Sequence, residues 1–471
     1  MKATVAEIIV DYLYLGGVRR IYGVPGDSIN PLLDAIRRDG RIKYVQVRHE
    51  EAGAFAASYD SKFNRTPAAC FGTSGPGSIH LLNGLYDAKM DHAPVIAITG
   101  QVRSDLIGHD YHQEVNLAKL FDDVSVFNRM LIDPESTRYL ISRALREAKE
   151  KRGVAHLNVP VDLLRENVEV KMIYNVDPAP LSLSPDLAEA VDAINDSESP
   201  VILAGAGTLD YGHKILALSE KIGAPIIYAL LAKGLLSDSQ PEVMGGLGLL
   251  GSRASVNAIE RSDLIIAIGT TFPYTHFIPE GKKIIQVDID SSNIGREFQV
   301  DIPVHSDAGY FMDRTVENVN ERQNKFVQSM EKSKLSWEKY LENEESTSYE
   351  LINLAYLSRS LSEELGSNAV VVTDTGNVTL WIGRHFRAKE GQRFLFSGGL
   401  ATMGCSLPGA IGAALSTNRP VISVIGDGGL AMTAMELSTV KKYRIPLKIV
   451  VFNNSKLAMI KYEQEVMGYP E

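Results

Sequence analysis

The stretch from Pro420 to Asn454 constrains this chain more than any other. Pro420 to Ile425 and Leu447 to Phe452 are apolar runs of strand length, and Leu430 to Tyr443 between them carries apolar residues at helical spacing. That sequence of patterns predicts one βαβ unit, because parallel neighbours need a helical crossover rather than a tight turn. The first run ends in Gly426-Asp427-Gly428-Gly429 and the second in Asn453-Asn454, with Asn454 twenty-seven residues beyond Asp427. Asp427 and Asn454 are therefore expected side by side at the carboxyl ends of adjacent strands, where open α/β sheets bind ligands. The glycines let backbone amides approach a phosphate at the start of the next helix. A carboxylate, an amide oxygen and the backbone carbonyl of Lys456 are hard oxygen donors suited to magnesium, with a diphosphate completing its octahedron. Gly-Asp-Gly alone is a common turn, and the Asn-Asn pair at one βαβ distance is what gives it meaning.

The same alternation recurs along the whole chain. Strand-like runs at Tyr44 to Val47, Ala68 to Phe71, Val95 to Thr99 and Ala155 to Val159 mark a first block. Runs at Pro200 to Ala204, Pro225 to Tyr228, Leu264 to Ile268 and Lys283 to Val287 mark a second. A charged, helical stretch from Asn318 to Glu345 leads to the third, which adds strands at Ala369 to Thr373 and Arg393 to Phe396. Asp177 to Pro185 is rich in proline and serine and reads as an exposed linker. At 471 residues the chain exceeds the usual single-domain size. The expected class is α/β, with three doubly wound parallel-sheet domains at 1–178, 179–345 and 346–471.

Composition removes several kinds of function. A net charge of -10 and the absence of a long basic run argue against a nucleic-acid partner, which needs concentrated positive charge. Cys70 and Cys405 have no metal-ligand spacing and suit a reducing compartment. Met1 to Gly16 lacks signal-peptide architecture and no apolar stretch reaches membrane-spanning length, so a cytoplasmic location is expected.

Glu50 stands between the short strand Tyr44-Val45-Gln46-Val47 and a helix beginning near Ala52. Downstream, Gly72-Thr73-Ser74-Gly75-Pro76-Gly77 follows a strand, and His80 and Asn83 fall on one helical face. Each signal has an ordinary reading, since glutamates at helix starts usually complement the dipole. Taken together, Val47-Arg48-His49-Glu50-Glu51, Ser74-Gly75-Pro76-Gly77, Gln113-Glu114, Gly426-Asp427-Gly428 and Asn453-Asn454 resemble the thiamine diphosphate enzymes of the pyruvate oxidase and acetolactate synthase group. The resemblance implies that Glu50 engages the coenzyme's pyrimidine nitrogen and that Asp427, Asn454 and the Lys456 carbonyl hold Mg2+. It implies further that Gly428 and Gly429 lie along the diphosphate and that Ala401, Thr402 and Met403 contact the aminopyrimidine, with Met403 as an apolar wedge. His80, Gln113 and Glu463 match polar positions around the substrate.

The middle block bears on which reaction follows. Gly205-Ala206-Gly207 follows a strand without the third glycine of a nicotinamide-dinucleotide fingerprint. Gly248, Gly251 and Arg253, then Gly269, Thr270, Thr271, Phe272 and Pro273, then Asp288, resemble the flavin-binding segments of pyruvate oxidases. The implied function is oxidative decarboxylation of pyruvate, or another small 2-keto acid, with thiamine diphosphate, Mg2+ and FAD. Carbon dioxide leaves, acetate or acetyl phosphate forms, and oxygen or a quinone takes the electrons. A site shared between subunits implies a homodimer or homotetramer. Two departures stand out. His112 replaces the phenylalanine usual before the Gln-Glu pair, and relatives continue for about ninety residues beyond Glu471, the length of several α/β elements, so the third domain is expected to be incomplete with an exposed strand edge. Acetolactate synthase or a non-oxidative 2-keto acid decarboxylase is the nearest enzymatic alternative; Thr271-Phe272-Pro273-Tyr274 lacks the Arg-Phe-Asp-Asp run of the synthases. A noncatalytic subunit or inactive fragment is the alternative of another class.

Overall fold

A computed structural model describes residues 2–169, 174–178 and 183–470. The chain divides into two compact units, one of Met1–Pro180, Val372–Gly376 and Leu395–Glu471 and the other of Leu181–Val371 and Asn377–Phe394. Three sheets with flanking helices give the expected α/β class. Of the proposed linker at 177–185, residues 179–182 lie outside the described residues.

The first sheet has six parallel strands in the spatial order Lys43–Gln46, Arg20–Gly23, Ala68–Gly72, Val95–Gln101, Val154–Pro160, Ser125–Met130. Its central strands are buried along their whole length, as a sheet covered on both faces requires, and the few polar side chains on them, Thr99, Gln101, His156 and Asn158, are buried too. Chain order reverses between Arg20–Gly23 and Ala68–Gly72, and a crevice for ligands opens outside the carboxyl ends there.

The helix Glu50–Asn64 is buried along most of its length. Asp60 on it accepts the Arg20 Nε and Nη2 groups at 2.7 Å and the Tyr22 hydroxyl at 2.8 Å, which ties the helix to its own sheet. On another side it meets the helix Ser406–Ser416, where a Cβ on Gly412 would stand 2.1 Å from the Ala56 carbonyl and one on Gly409 2.6 Å from the Tyr59 ring. Close approach of two backbones fixes the helix whose first residue is Glu50.

The central sheet is also six-stranded and parallel, in the order Val243–Gly246, Ile226–Tyr228, Pro200–Ala204, Leu264–Ile268, Lys283–Asp288, Ile302–His305. Numbered along the chain this is 3-2-1-4-5-6, the order of dinucleotide-binding sheets. Apolar side chains on its two faces form separate cores, one beneath the helices Gly212–Ile222 and Ala308–Asn318, the other beneath Arg253–Arg261 and Lys325–Ser346.

The last sheet has four strands, ordered Arg393–Leu395, Val370–Thr373, Val421–Gly426, Leu447–Phe452. Val421–Gly426 and Leu447–Phe452 pair in parallel, with Gly426 opposite Phe452. Leu447–Phe452 is an edge strand and half-exposed along most of its length. The crossover between them is not the single helix expected from 430 to 443: it runs as Asp427–Thr433, a tight turn at Ala434–Glu436, and Leu437–Tyr443. The break turns the Glu436 carboxylate inward, where it accepts the backbone N–H of Arg48 at 2.8 Å and of His49 at 3.2 Å. No helix among the described residues is long and apolar enough to cross a membrane.

Candidate functional site

Glu50 opens its helix directly after the extended residue His49. Its carboxylate is largely buried and lies 3.0 Å from His80 Nδ1, and a Cβ on Gly77 would stand 3.0 Å from its Oε1. His80 and Asn83 were expected on one helix. Leu81 instead separates two helices, Pro76–His80 and Leu82–Met90, and both side chains still turn toward the same loop, since Asn83 Nδ2 donates to Glu51 Oε1 at 2.6 Å. Gln113 sits against the same turn: its backbone carbonyl lies 2.9 Å from where a Gly75 Cβ would be, and the Ser74 hydroxyl points at its Oε1 from 3.5 Å. Gln113 has a φ of 64°, an uncommon conformation that orients the loop. Glu114 beside it is a strut: backbone N–H groups of Gly108 and Tyr111 bond its carboxylate and hold its pKa down. The neighbouring His112 is exposed.

In the same unit, the Gly426–Gly429 turn meets the Asn453–Lys456 loop. The Asn454 N–H donates to Asp427 Oδ1 at 3.4 Å, and the Lys456 N–H donates to Asn454 Oδ1 at 3.1 Å. No atom lies within 4 Å of where a Gly426 Cβ would be, so the turn faces open space. A carboxylate and an amide oxygen on these neighbouring loops are hard donors of the kind that suits a cation carrying a diphosphate. Met403 Cε and Leu457 Cδ2 both lie 3.4 Å from the place of a Gly428 Cβ, which puts the expected apolar wedge over the glycine turn. Ala401 has a φ of 55°, and Thr402 receives a hydrogen bond from Asn83 Nδ2 at 3.2 Å. Glu463, on the helix Ala458–Met467, is exposed.

Four carboxylates around these loops escaped the sequence reading. Asp374, nearly inaccessible, receives the N–H groups of Gly404 and Ser406, and burial pushes its carboxyl above the usual range. Asp91 receives the N–H groups of Gly398 and Gly399 and, with Asp87, the Lys62 ammonium. The Ala401–Met403 segment is thus clamped on both sides. Glu436 is raised chiefly by burial, against the Thr439 hydroxyl and the Arg48 and His49 amides that bond it. Asp374 closely follows a predicted strand, which was a usable signal; Asp87, Asp91 and Glu436 lie on helical segments where nothing separates a buried carboxylate from a solvated one.

At the reversal point of the central sheet, side chains give way to backbone. A Cβ on Gly205 would stand 2.1 Å from the Gly269 carbonyl, and one on Gly207 2.9 Å from the Gly269 Cα. Thr270 and Phe272 are buried, Thr271 half-buried and Pro273 exposed. Gly248, with a φ of 108°, packs beside Phe272 and Tyr274, and Gly251 closes on the Gly246 carbonyl. Asp288 accepts the Asp290 N–H and the Asn293 side-chain amide, and exposed Arg253 lies over the Tyr340 ring at 5.5 Å. Glycines at this point fit a pyrophosphate-bearing dinucleotide.

Comparison with known proteins finds one family along the chain. Residues 3–120 match the N-terminal TPP binding domain of thiamine pyrophosphate enzymes, residues 187–315 their central domain and residues 374–470 their C-terminal TPP binding domain. A thiamine pyrophosphate-containing protein of Bacillus subtilis is 38% identical over 476 residues, covering 99% of this chain and 82% of the relative. A pyruvate oxidase of Lactiplantibacillus plantarum is 32% identical over 470 residues, covering 97% and 78%. The acetolactate synthase isozyme 1 large subunit of Escherichia coli is 29% identical over 489 residues, covering 99% and 84%.

Proposed function

The chain belongs to the thiamine pyrophosphate enzymes, and within that family we propose that it decarboxylates pyruvate oxidatively, using thiamine diphosphate, Mg2+ and FAD. The observation that supports a bound FAD in this reading is the central sheet, whose dinucleotide strand order has a reversal point walled by Gly205, Gly207 and Gly269. A further support is the Thr271-Phe272-Pro273-Tyr274 segment, which lacks the acidic run expected of a synthase.

When bound, thiamine diphosphate supplies an electron sink for the pair freed as carbon dioxide leaves, and FAD an acceptor for two electrons. The protein's part is positional and protonic. Glu50, in its largely buried setting, holds a proton at the pyrimidine nitrogen. Asp427, Asn454 and the Lys456 carbonyl hold Mg2+, and Gly428 and Gly429 allow the diphosphate close approach. Thr402 and Met403 fix the pyrimidine's orientation. His80 and Gln113, at the mouth of the Glu50 pocket, orient the keto acid, with Glu463 of the helix Ala458–Met467 as the third polar group in the proposal. The product is acetate or acetyl phosphate, and oxygen or a quinone receives the electrons. Glu50 and Asp427 serve one coenzyme across a pair of chains, so the working form is a homodimer or homotetramer.

The test incubates the protein with thiamine diphosphate, Mg2+, FAD and pyruvate under anaerobic conditions and follows flavin absorbance. Bleaching on addition of pyruvate is expected. Acetolactate formation with an unchanged flavin spectrum overturns the proposal in favour of the synthase reading.

A further inference from the structure

Three metal-ligating side chains converge at the Glu50 pocket, and the proposed chemistry uses only Glu50 and His80 of them. His49, Glu50 and His80 each bring a ligand atom within 4.8 Å of the other two. His80 Nδ1 is already 3.0 Å from Glu50 Oε2. The His49 and His80 rings stack with centroids 4.3 Å apart and planes 28° from parallel, which holds the two imidazoles next to each other. Glu51 adds a second carboxylate, its Oε2 3.8 Å from His49 Nδ1. The cluster is reachable, since the His49 and His80 side chains are 35% and 43% exposed while Glu50 is 10% exposed.

Two imidazoles and a carboxylate are a borderline donor set that favours zinc and its late first-row neighbours over magnesium or calcium. Tetrahedral zinc with bonds of about 2.1 Å places its ligand atoms roughly 3.4 Å apart. The His80 Nδ1 and Glu50 Oε2 atoms, 3.0 Å apart, already stand near that spacing, and His49, whose Nδ1 accepts the Glu51 N–H at 3.3 Å, completes the set within 4.8 Å. Three protein ligands leave a fourth position for water, as in an open zinc site.

We propose that His49, Glu50 and His80 capture a zinc-class divalent cation in the coenzyme-free protein, and that the captured ion excludes thiamine diphosphate by occupying Glu50. The capture stands on the cluster's geometry alone; the exclusion rests on the reading of Glu50 as the coenzyme's acid. This site is chemically distinct from the all-oxygen cradle at Asp427 and Asn454, which suits Mg2+.

The experiment titrates zinc chloride into the metal-stripped, coenzyme-free full chain by calorimetry, with His49→Gln, His80→Gln and Asp427→Asn variants in parallel. One zinc per chain is expected for the unaltered protein and for Asp427→Asn. Each histidine variant weakens binding by at least about tenfold, as expected for loss of a ligand. Both histidines are partly exposed, and the unfolding midpoint of each variant verifies its fold. Saturating thiamine diphosphate with Mg2+ raises the apparent zinc dissociation constant, whereas Mg2+ alone does not. Zinc binding unchanged in both histidine variants overturns the capture, as does binding abolished by Asp427→Asn alone. A coenzyme that raises the unfolding midpoint of zinc-free protein but leaves zinc affinity unchanged overturns the exclusion. A coenzyme that produces no midpoint shift instead overturns the proposed function, and the histidine variants then decide the capture by themselves.

Discussion

At the carboxyl edge of the first sheet the crevice is filled by side chains that bond one another. Ser28 and Thr73 share a hydrogen bond of 2.8 Å, the Ser74 N–H donates to Ser28 Oγ at 2.7 Å, and Glu50 meets His80 at 3.0 Å. At the corresponding edge of the central sheet, Gly205, Gly207 and Gly269 press backbone against backbone with no room for a Cβ. One parallel architecture therefore carries two kinds of ligand edge. The first presents chemical groups that substitution can silence while the fold persists. Crowding is common to both, since a Cβ on Gly72 of the first would stand 2.4 Å from the Gly77 carbonyl; at the reversal point of the second, shape is what Gly205, Gly207 and Gly269 present.

The largest expected effect tests the first half of that contrast. Glu50→Gln keeps the volume and the contact with His80 but removes the carboxylic proton relay, and should lower kcat/KM for pyruvate by about 10²- to 10⁴-fold. Its unfolding midpoint should stay close to that of the unaltered protein. Steady-state turnover and thermal unfolding measured together check this; an active variant removes Glu50 from the chemistry, and an unfolded one makes its role structural.

The second half predicts the reverse pattern. A Cβ on Gly205 would lie 2.1 Å from a carbonyl oxygen that belongs to backbone and cannot rotate away. Gly205→Ala should therefore destabilise the central unit by about 1–3 kcal/mol or more, the range of overpacked cores. Gly426→Ala is the control: its backbone has an ordinary φ of -73° and nothing lies within 4 Å of the added carbon. That variant should stay within about 0.5 kcal/mol of the original stability. Denaturant unfolding of both separates crowding from glycine content as such.

This asymmetry also explains what the sequence disclosed. The βαβ unit from Pro420 to Phe452 was legible because buried parallel strands read as continuous apolar runs, and Asp427 and Asn454 meet as their spacing requires. Strands such as Arg20–Gly23 and Ser125–Met130 were not legible. Each contains charged or polar residues whose burial depends on distant partners, as Arg20 depends on Asp60, forty residues along the chain. The broken helix at Ala434–Glu436 was missed for a related reason: apolar spacing continues through it, and what turns the chain is the bond from Glu436 to the Arg48 and His49 amides. Glu50 could be singled out by its place between a strand and a helix, but its partner His80 required the fold. In the central block, glycines at strand ends were visible as residues; which two face each other across the reversal point followed only from strand order.

A smaller effect distinguishes the first sheet by pH. His156, on Val154–Pro160, is inaccessible to solvent, stacks on Phe121 at 3.9 Å and shares hydrogen bonds with Thr99 and Asn128; burial lowers its pKa to about 3. An unfolded histidine titrates near 6.5, so below that pH the unfolded chain takes up a proton that the folded chain refuses. Stability from this group is therefore complete above about pH 6.5 and is lost as pH falls toward 3, amounting to about 2 kcal/mol by pH 5. Unfolding free energies measured across that window should fall with acidification, and His156→Asn should flatten the slope. An unchanged slope would assign the acid sensitivity to other groups.

The smallest effect is predicted where the contrast between the two sheets ought to vanish. Gly40 ends the helix Asn30–Asp39 beside the first sheet with a φ of 72°, and Gly281 precedes the strand Lys283–Asp288 of the central sheet with a φ of 74°. Both are exposed and neither has an atom within 4 Å of where a Cβ would stand. Alanine at either position meets no neighbour, so the only cost is the left-handed backbone conformation, about 1 kcal/mol for a residue with a Cβ. Gly40→Ala and Gly281→Ala should therefore shift the unfolding free energy by equal amounts within error, although they sit in different units. A markedly larger loss at Gly281 would mean that the central unit is intolerant of added atoms everywhere and not only at its ligand edge, and the distinction between a chemical edge and a shaped one would lose its basis.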